Sequence, residues 1–342
     1  MTLSVGIVGV GLIGQDHARR LSGAVAGARV AAVADADPER ARQAAQALPG
    51  ARALATGHDV IAAPGIDAVL VTSSGPSHEE FVLAAIAAGK PVFCEKPLAP
   101  EPAACLRIIA AEQAAGRRLV QVGFMRRYDP GYRALRRELD RGAIGAPLLA
   151  HCVHRNAAAP PGFTSDMLLT DSGVHEMDIM RWLLGEEITA VSVLQPRPTG
   201  RAPGGLQDPQ VLLMQTASGV HIDVELFVNC GFGYDIRCEV VGESGTVSLT
   251  NPAPVSLRSA GTIAEPISAD WRDRFAGAYD TELREWVSNA AAGLTAGPSS
   301  WDGYAAAAIA EAALRARTSG QRVPVVLASR PDCYGRRPKA RP

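Results

Sequence analysis

Lys96, Asp171 and His175 are the residues whose types and spacing could remove a proton from an alcohol. Asp171 and His175 stand four residues apart in LLTDSGVHEMDIMRW, so a helix would place them on one face within mutual reach. A neutral imidazole accepts a proton near neutral pH, and the carboxylate can polarise it or bind the substrate. Lys96 precedes a proline in FCEKPL, which restricts its backbone and aims its ammonium group. A lysine so aimed would hold a developing alkoxide.

Each of these residues also has an ordinary structural interpretation. Lys96 taken alone would be a solvated surface lysine. Asp171 and His175 would be an N-cap aspartate and a hydrogen-bonded histidine at the start of a helix. The presence of all three in one chain favours chemistry over these alternatives.

Two further polar clusters, HCVHRN and FMRRYDPGY, are unusual for purely structural segments. Alternation along a strand puts His154 and Asn156 on one face and Arg155 on the other, so the first two residues can form a polar contact set. Arg126 lies in the second cluster, and Tyr234 begins a later strand and could add a hydroxyl group. Because a zinc site needs a closer Cys or His constellation, no metal is predicted.

The segment VGIVGVGLIG has the spacing G-x-G-x-x-G at Gly9, Gly11 and Gly14, directly after a strand and at the opening of a helix. Gly9 allows a tight turn, Gly11 lets the backbone approach a pyrophosphate, and Gly14 permits close packing of the helix on the sheet. Asp35 ends the second strand, where it can accept hydrogen bonds from ribose hydroxyls and would repel a 2′-phosphate. The motif therefore predicts NAD rather than NADP, although Arg40 lies on the following helix.

Residues after the fourth and fifth strands complete the predicted cofactor site. In TSSGPSHEE, the small and turn-forming residues Ser73, Ser74 and Pro76 would let the cofactor cross the carboxyl edge of the sheet. The remaining predicted contacts come from the glycine motif, this turn and FCEKPL: Leu12, Ile13, His78, Glu95 and Lys96. The alternative, a glycine-rich turn with an ordinary surface aspartate, does not explain why strand, turn, helix and acidic residue occur together.

These residues are positioned by a chain whose pattern changes near residue 123. In residues 1–122, short apolar runs alternate with Ala-rich helical stretches, which predicts an α/β domain of the Rossmann type with a doubly wound parallel sheet. Residues 123–330 contain strand-like runs separated by Gly and Pro turns, and helices near 273–292 and 300–318. They predict an α+β domain with a mostly antiparallel open sheet. The basic tail, 331–342, is predicted to be mostly disordered.

Length and composition restrict the class of partner. The chain has 342 residues, which favours two domains, and its 34 Lys and Arg residues balance 35 Asp and Glu residues. This balance gives no electrostatic case for a nucleic acid or a membrane surface, so a small molecule is the expected partner. Six cysteines without C-x-x-C pairs predict reduced thiols in a cytoplasmic protein, and the first residues are not expected to act as a signal peptide.

Several of these motifs, in this order, resemble those of bacterial inositol 2-dehydrogenases, in the superfamily of glucose-fructose oxidoreductase and inositol dehydrogenase. They are GVGLIG, EKPL, GFMRRYDPGY, HCVHRN, the D-x-x-x-H helix and GYDIRCEVVGE. The resemblance implies that Lys96, Asp171 and His175 form a catalytic triad. It also implies a set of contacts to the cyclitol hydroxyls, from Arg126, His154, Asn156, Ser172 and Tyr234.

The reaction implied by the resemblance is oxidation of the axial C2 hydroxyl of myo-inositol to 2-keto-myo-inositol, with hydride transfer to NAD. The resemblance further implies a homotetramer assembled through the open faces of the C-terminal sheets. Two departures from the family pattern, Ser74 in place of Trp and Gly173 in place of a larger apolar residue, are expected to enlarge the site.

A larger site leaves other substrates open, namely scyllo-inositol, an aminocyclitol or a pyranose sugar. An NAD-retaining lyase or glycosidase of the same superfamily is a second class, because such enzymes oxidise a sugar transiently and release no NADH. A non-catalytic cofactor-binding protein is a third class, but it would not need Lys96, Asp171 and His175.

Overall fold

The computed structural model describes residues 2–202, 204–250 and 255–335. These residues form two compact units, and each unit is built from more than one stretch of the chain. The first unit contains the described residues up to Met125, together with Gly277–Ala307 and those from Leu327 onwards. The second contains Arg126–Ala276 and Ala308–Val326. The continuous second domain predicted from the sequence is therefore interrupted, because part of it belongs to the first unit.

The first unit has a six-stranded parallel sheet in the order β3-β2-β1-β4-β5-β6. Its strands are β1 (Leu3–Val8), β2 (Ala28–Ala34), β3 (Arg52–Ala53), β4 (Ala68–Val71), β5 (Val92–Glu95) and β6 (Val120–Gly123). The connecting helices are α1 (Leu12–Gly23), α2 (Pro38–Ala47), α3 (Gly57–Ala62), α4 (His78–Ala87) and α5 (Pro102–Ala114). This is the strand order of a Rossmann fold, and the order reverses between β1 and β4, where such sheets bind ligands. The predicted fold class of the first half is confirmed.

The second unit has a seven-stranded sheet in the order β12-β11-β7-β10-β9-β8-β15, in which only β7 and β10 are parallel neighbours. Its helices are α6 (Pro130–Asp140), α7 (Val174–Leu184) and α8 (Trp271–Arg274). Its strands are β7 (Pro147–Arg155), β8 (Ile188–Leu194), β9 (Gln210–Thr216), β10 (His221–Phe227), β11 (Asp235–Gly242), β12 (Gly245–Ser248), β15 (Val323–Pro324) and the separate pair β13 (Leu257–Ser259) and β14 (Thr262–Ala264). Buried and part-exposed residues alternate along β9, as expected when one face of a sheet is covered. The mostly antiparallel sheet predicted for this half is confirmed.

Two long helices lie in the C-terminal part of the described chain, α9 (Ala276–Ala291) and α10 (Ser300–Ser319). Helix α9 was expected in the second domain, but its Leu283, Trp286 and Val287 lie in the hydrophobic core of the first unit with β1 and β2 residues. Burial of each of these large apolar side chains contributes about 1.5–3 kcal/mol, which favours packing of α9 in the first unit although it follows the second unit in the chain. None of the helices among the described residues combines the length and the apolar character needed to cross a membrane.

The beginning of the predicted disordered tail is ordered instead. Tyr334 is buried, and its hydroxyl donates a 2.5 Å hydrogen bond to the Glu112 carboxylate on α5. The same carboxylate accepts hydrogen bonds from the Leu119 and Val120 amides and from the Ser300 hydroxyl. The buried ring of Tyr334 and its hydrogen bond to Glu112 thus order a segment that composition alone predicts to be disordered. Residues 336–342 lie outside the described part of the chain.

We expect Tyr334→Phe to lower the free energy of unfolding by about 1.5–3 kcal/mol, the usual value of a hydrogen bond to a charged group. The ring and its packing remain, so the change isolates the hydroxyl. Urea unfolding followed by circular dichroism measures the effect, and Tyr334→Ala, which also removes the buried ring, should be more destabilising. Equal midpoints for the wild type and both variants would show that the segment does not contribute to folding.

Candidate active site

The glycine motif forms a tight loop between β1 and α1 against the end of β4. Gly9 has a positive φ of 92°, and a Cβ there would lie 2.4 Å from the backbone nitrogen of Ser73. A Cβ on Gly14 would lie 2.1 Å from the carbonyl oxygen of Gly9. Only glycine fits at both positions, because backbone atoms occupy the space of a side chain. The loop after β1 and the loop after β4 are thereby packed together.

Gly11 differs from the other two glycines because a Cβ there would meet no described atom within 4 Å. Gly11 is also the N-cap of α1 and has no side-chain cap among the described residues, so amide groups of the first turn are left for a ligand. Leu12 is exposed and Ile13 is half-buried beside this opening. A helix N-terminus with an open, side-chain-free approach fits a pyrophosphate group, as the sequence predicts.

Asp35 follows β2 and is tied to the glycine loop. Its Oδ2 accepts a 2.7 Å hydrogen bond from the Val10 amide, and its Oδ1 accepts one of 2.9 Å from the Asp37 amide. The Arg40 guanidinium donates to the same Oδ1 at 3.1 Å. The carboxylate is therefore fixed beside the loop predicted to hold the pyrophosphate, with one cation next to it. That position fits the ribose-binding role predicted for Asp35.

Gly11→Ala and Gly14→Ala form a matched pair with different expected effects. The first adds a methyl group in open space, so we expect an unchanged melting temperature and a KM for NAD raised by about 10-fold, through loss of close backbone approach. The second places a methyl group against backbone, so we expect about 1–3 kcal/mol of destabilisation. Thermal melts and NAD titrations of both variants measure these effects. Equal loss of stability in the two variants would contradict the assignment of Gly11 to the ligand.

Lys96 follows β5, and the backbone beside it is held by Glu95. The Glu95 Oε2 accepts a 3.0 Å hydrogen bond from the Lys96 amide, and the Oε1 lies 2.7 Å from Nε2 of His17. His17 is fully buried in α1, and a Cβ on Gly123 would press on the Glu95 carboxylate at 3.0 Å. The Glu95 side chain, predicted as a cofactor contact, is thus used within the protein to hold the Lys96 backbone.

His78, the other predicted cofactor contact of this region, is buried at the start of α4. Its Nδ1 lies 2.7 Å from the carbonyl oxygen of Pro97, and its Nε2 lies 2.9 Å from that of Ser73. Both ring nitrogens therefore face backbone atoms of the protein. By contrast, Ser74 and Pro76 are exposed on the turn after β4, where the sequence predicts the cofactor to cross the sheet edge.

In the second unit, the segment that carries Asp171 is not part of the α-helix that was expected to hold both Asp171 and His175. Residues Leu168–Ser172 form a π turn closed by a 2.8 Å hydrogen bond from the Gly173 amide to the Leu168 carbonyl, and α7 begins only at Val174. The turn contains a half-buried Asp171 and a buried Ser172. Such single π turns are rare and occur frequently at functional sites.

His175, in the first turn of α7, belongs to a group of buried polar side chains. Its ring centroid lies 6.2 Å from that of His154 on β7. The His154 Nδ1 is 3.0 Å from a Glu176 carboxylate oxygen and 3.1 Å from an Arg126 guanidinium nitrogen. Nδ1 of His154 is therefore used inside the protein. The structure thus brings together two of the residues that the sequence singled out separately.

Arg126 and Glu176 form an ion pair in which each side chain is only 1% exposed. The nearby positive charge of Arg126, followed by His154, holds the pKa of Glu176 below its ordinary value, although burial acts in the opposite direction. Arg126 was predicted to contact the substrate directly. In the structure it is buried and bonds to Glu176 and His154, so it supports this group, and its contact with a substrate stays a prediction.

Tyr234 and Asn156 complete the polar group of the second unit. The Tyr234 ring packs edge-on against His154 at a centroid distance of 5.9 Å, and burial raises the pKa of its hydroxyl to about 12. The phenol therefore stays protonated and can donate a hydrogen bond near neutral pH. The carboxamide oxygen of Asn156 is buried and has no hydrogen-bond partner among the described residues. A bound hydroxyl group would satisfy it, which agrees with the predicted role of Asn156.

Gly173 does not enlarge the site in the way expected from the sequence. A Cβ there would lie 3.1 Å from the carbonyl oxygen of Leu169, 3.2 Å from that of Leu168 and 3.3 Å from the Leu226 side chain. The space that a side chain of residue 173 would occupy is already filled by atoms of the π turn and of β10. The effect predicted for Ser74 stays a prediction.

Sequence reasoning missed Glu176 and His17, which support the predicted residues without being part of a motif. Glu176 directly follows His175, but only the fold brings it to Arg126, 50 residues earlier in the chain. His17 contacts Glu95 across 78 residues. A buried arginine requires a carboxylate partner, but the sequence does not indicate which carboxylate that is.

Comparison with known proteins identifies relatives along the whole chain. A family model described as "Oxidoreductase family, NAD-binding Rossmann fold" matches residues 3–124, and one described as "Oxidoreductase family, C-terminal alpha/beta domain" matches residues 136–325. Inositol 2-dehydrogenase 3 of Saccharopolyspora erythraea is 56% identical over 335 residues, covering 98% of this chain and 99% of the relative. Inositol 2-dehydrogenase of Burkholderia ambifaria is 53% identical with the same coverage of both chains.

Among solved structures, this chain is similar to myo-inositol dehydrogenase from Lactobacillus casei in complex with NAD(H) and myo-inositol. The TM-score is 0.95 and the identity 38%, with 98% of this chain and 100% of that chain covered. Scyllo-inositol dehydrogenase from the same organism, with bound NAD(H) and scyllo-inositol, has a TM-score of 0.86 and 25% identity, with 95% of this chain and 99% of that chain covered. The similarity extends over both units.

Proposed function

The chain belongs to the oxidoreductase family that joins an NAD-binding Rossmann domain to a C-terminal alpha/beta domain, and on this premise we propose that it is an NAD-dependent inositol 2-dehydrogenase. The proposed reaction converts myo-inositol and NAD to 2-keto-myo-inositol, NADH and a proton. The observation that carries the proposal is 56% identity over nearly the full length to an inositol 2-dehydrogenase. The presence of Lys96, Asp171 and His175 supports it further.

In the proposed mechanism, the first unit binds the cofactor through backbone and carboxylate groups. The open turn at Gly11 accommodates the pyrophosphate, and Asp35 binds the adenosine ribose. The loop containing Ser73, Ser74 and Pro76 supports the nicotinamide half. When bound, NAD would supply the hydride acceptor for the carbinol carbon of the substrate.

The remaining steps move or hold a proton. His175 takes the hydroxyl proton of the substrate at an imidazole nitrogen, and Asp171 orients both the imidazole and the substrate. The Lys96 ammonium stabilises the negative charge that develops on the oxygen as the proton leaves. The C–O single bond becomes a carbonyl when the hydride departs, so the proton on His175 is the one released to solvent. Each role follows from the charge and hydrogen-bonding capacity of its side chain.

Substrate specificity in the proposal comes from the buried polar group of the second unit. The Asn156 carboxamide, the Tyr234 hydroxyl, the Ser172 hydroxyl and the Nε2 of His154 can each exchange a hydrogen bond with a ring hydroxyl. Arg126 supports His154 through Glu176, as its burial requires. A ligand with a hydroxyl group on every ring carbon suits a site whose polar groups need partners.

The experiment that tests the proposal is a steady-state screen with NAD and with NADP. Myo-inositol, scyllo-inositol, chiro-inositol and glucose are each supplied, and the absorbance of the reduced cofactor is followed. We expect myo-inositol with NAD to have the highest kcat/KM. If another of these compounds had the highest kcat/KM, the proposed reaction would stand and that compound would be the substrate. Substrate consumption without free NADH would favour the NAD-retaining lyase or glycosidase, and NAD binding without turnover of any polyol would favour a cofactor-binding protein.

We further propose that four copies assemble through the open face of the second sheet. Its part-exposed residues include Leu149, 42% exposed, with Val153 further along β7. Beside them, His151 and Asp223 form a cross-strand ion pair. A face that combines apolar residues with internally paired charges can be buried against a copy of itself at little electrostatic cost. Light scattering coupled to gel filtration should give four times the 35.8 kDa of one chain, and a monomer would overturn the proposal.

We propose a cytoplasmic location on the state of the thiols. All six cysteines are free, and five are buried. Burial raises the pKa of the Cys105 thiol to about 12, which keeps it unreactive. Fractionation of the cells that produce the protein tests this location, and recovery outside the cytoplasmic fraction would contradict it.

A further inference from the structure

His78 occupies a position between the two loops that the proposed reaction uses in the first unit. It is 2% exposed, and its two ring nitrogens lie 2.7 Å from the Pro97 oxygen and 2.9 Å from the Ser73 oxygen. Ser73 follows β4, and Pro97 follows Lys96 after β5. Because β4 and β5 are parallel neighbours, their following loops lie at the same edge of the sheet. His78 therefore connects the predicted nicotinamide loop to the loop of Lys96.

The chemistry of the two contacts limits how they form. Backbone carbonyl oxygens only accept hydrogen bonds, and a neutral imidazole has a single N–H. Burial lowers the pKa of His78, which favours this neutral form, although both carbonyls and Glu95 act in the opposite direction. The ring thus donates to one loop at a time, and the shorter distance favours the bond from Nδ1 to Pro97.

The Lys96 backbone is held on its other side as well. Its amide donates to the Glu95 carboxylate at 3.0 Å, and that carboxylate is itself held by His17 at 2.7 Å. One residue later, the Pro97 carbonyl accepts from His78. Lys96 is therefore bracketed by two buried contacts, which restrict where its ammonium group can reach.

We propose that His78 is a positioning residue for the proposed oxidation, and does not itself touch cofactor or substrate. With the proton on Nδ1, the ring donates to Pro97 and places Lys96 for alkoxide stabilisation; with the proton on Nε2, it donates to Ser73 and places the loop that supports the cofactor. The inference rests on the proposed function, since Lys96 has this role only in that reaction. It replaces the direct cofactor contact predicted for His78 from the sequence.

The two contacts can be separated by His78→Asn and His78→Gln. The amide nitrogen of asparagine lies near the position of Nδ1, and that of glutamine near the position of Nε2, so each variant keeps one donor. We expect His78→Gln to lower kcat by about 10-fold with the KM for NAD little changed, because a misplaced catalytic group lowers the rate of the chemical step. We expect His78→Asn to raise the KM for NAD by about 10-fold with a smaller change in kcat.

The dissociation constant for NADH, measured by fluorescence, tests the Ser73 contact without catalysis. We expect His78→Asn to weaken NADH binding and His78→Gln to preserve it. Matched controls are His58→Asn and His58→Gln, because His58 is an exposed histidine on the neighbouring helix α3. Its Nε2 lies 2.6 Å from the exposed carboxylate of Glu80, and its ring packs against Phe81. Both controls should match the wild type.

Three results separate the possible failures. If both His78 variants had the same lowered kcat, the same raised KM for NAD and the same lowered melting temperature, the residue would be merely structural. If both had the kinetics and the NADH affinity of the wild type, His78 would not position either loop. Either result overturns the inference. A wild-type enzyme that binds NADH but does not oxidise myo-inositol would overturn the proposed function instead, and the NADH affinities of the two variants would still decide the Ser73 contact.

Discussion

Replacing His175 by asparagine should lower kcat for myo-inositol oxidation by about 100-fold or more, since loss of a general base usually costs this much. Asparagine keeps a polar group of similar size at the start of α7 but cannot take the substrate proton at neutral pH. The decline of kcat at acidic pH, which in the wild type would report protonation of the base, should also be lost. Steady-state kinetics across a pH series measures both effects.

His58→Asn is the matched control, because it makes the same substitution at an exposed histidine outside the proposed site. It should retain the kcat of the wild type. Lys96→Met should also lower kcat strongly, because it removes the charge proposed to hold the alkoxide. Wild-type turnover in His175→Asn, with the protein folded, would remove His175 from the mechanism and leave the proton acceptor unassigned.

Replacing Glu176 by glutamine should lower the free energy of unfolding by about 3–5 kcal/mol, the effect of leaving one member of a buried ion pair without its partner. Arg126 is 1% exposed and pairs with Glu176, so its charge would remain in the interior without compensation. The substitution hardly changes side-chain volume, and it therefore isolates the charge. Urea unfolding at pH 7 measures the difference between the variant and the wild type.

The pH dependence of this effect follows from the lowered pKa of Glu176. A group whose pKa is lower in the folded than in the unfolded state stabilises the fold above its ordinary pKa, and this stabilisation is lost as pH falls through the folded value. The gap between wild type and Glu176→Gln should therefore be full at pH 7 and shrink on acidification. A gap that widens at low pH would contradict the assignment of the charge to Glu176.

Glu39→Gln is the control for stability, because Glu39 pairs with Arg42 on the exposed surface of α2. Exposed pairs of this kind often contribute nothing measurable, so its unfolding midpoint should match that of the wild type. If Glu176→Gln also matched the wild type, Arg126 would have to be compensated by other groups. The ion pair would then not be the element that holds His154 in place.

Much of the first unit was predictable because its signals are local. The apolar runs that become β1, β2 and β4 are buried strands, and the glycine motif follows β1 as the spacing requires. Gly9 and Gly14 have the predicted steric roles, since backbone atoms fill the space of their side chains. Such features depend on residues close together in the chain, where conformational preferences act directly.

The candidate site was predictable only in part. Alternation along β7 correctly separates His154 from Arg155, which pairs with Glu225 and Asp235 on the other side of the strand. The burial of Arg126 was not predictable, because it depends on elements far away in sequence. The π turn before α7 was also missed, since no simple periodicity indicates a single widened turn.

The sequence by itself therefore determined the Rossmann fold, the antiparallel second sheet and the candidate residues for proton transfer, all through local patterns. Only the tertiary structure decided that α9 packs into the first unit, that Tyr334 is bound by Glu112 and that Glu176 supports His154. Lys96, Asp171 and His175 were visible from residue type and spacing, whereas the contacts by which Glu95 and His78 hold the backbone on both sides of Lys96 were found only in the fold. The physical reason is that burial and ion pairing depend on distance in space, and a sequence pattern specifies only distance along the chain.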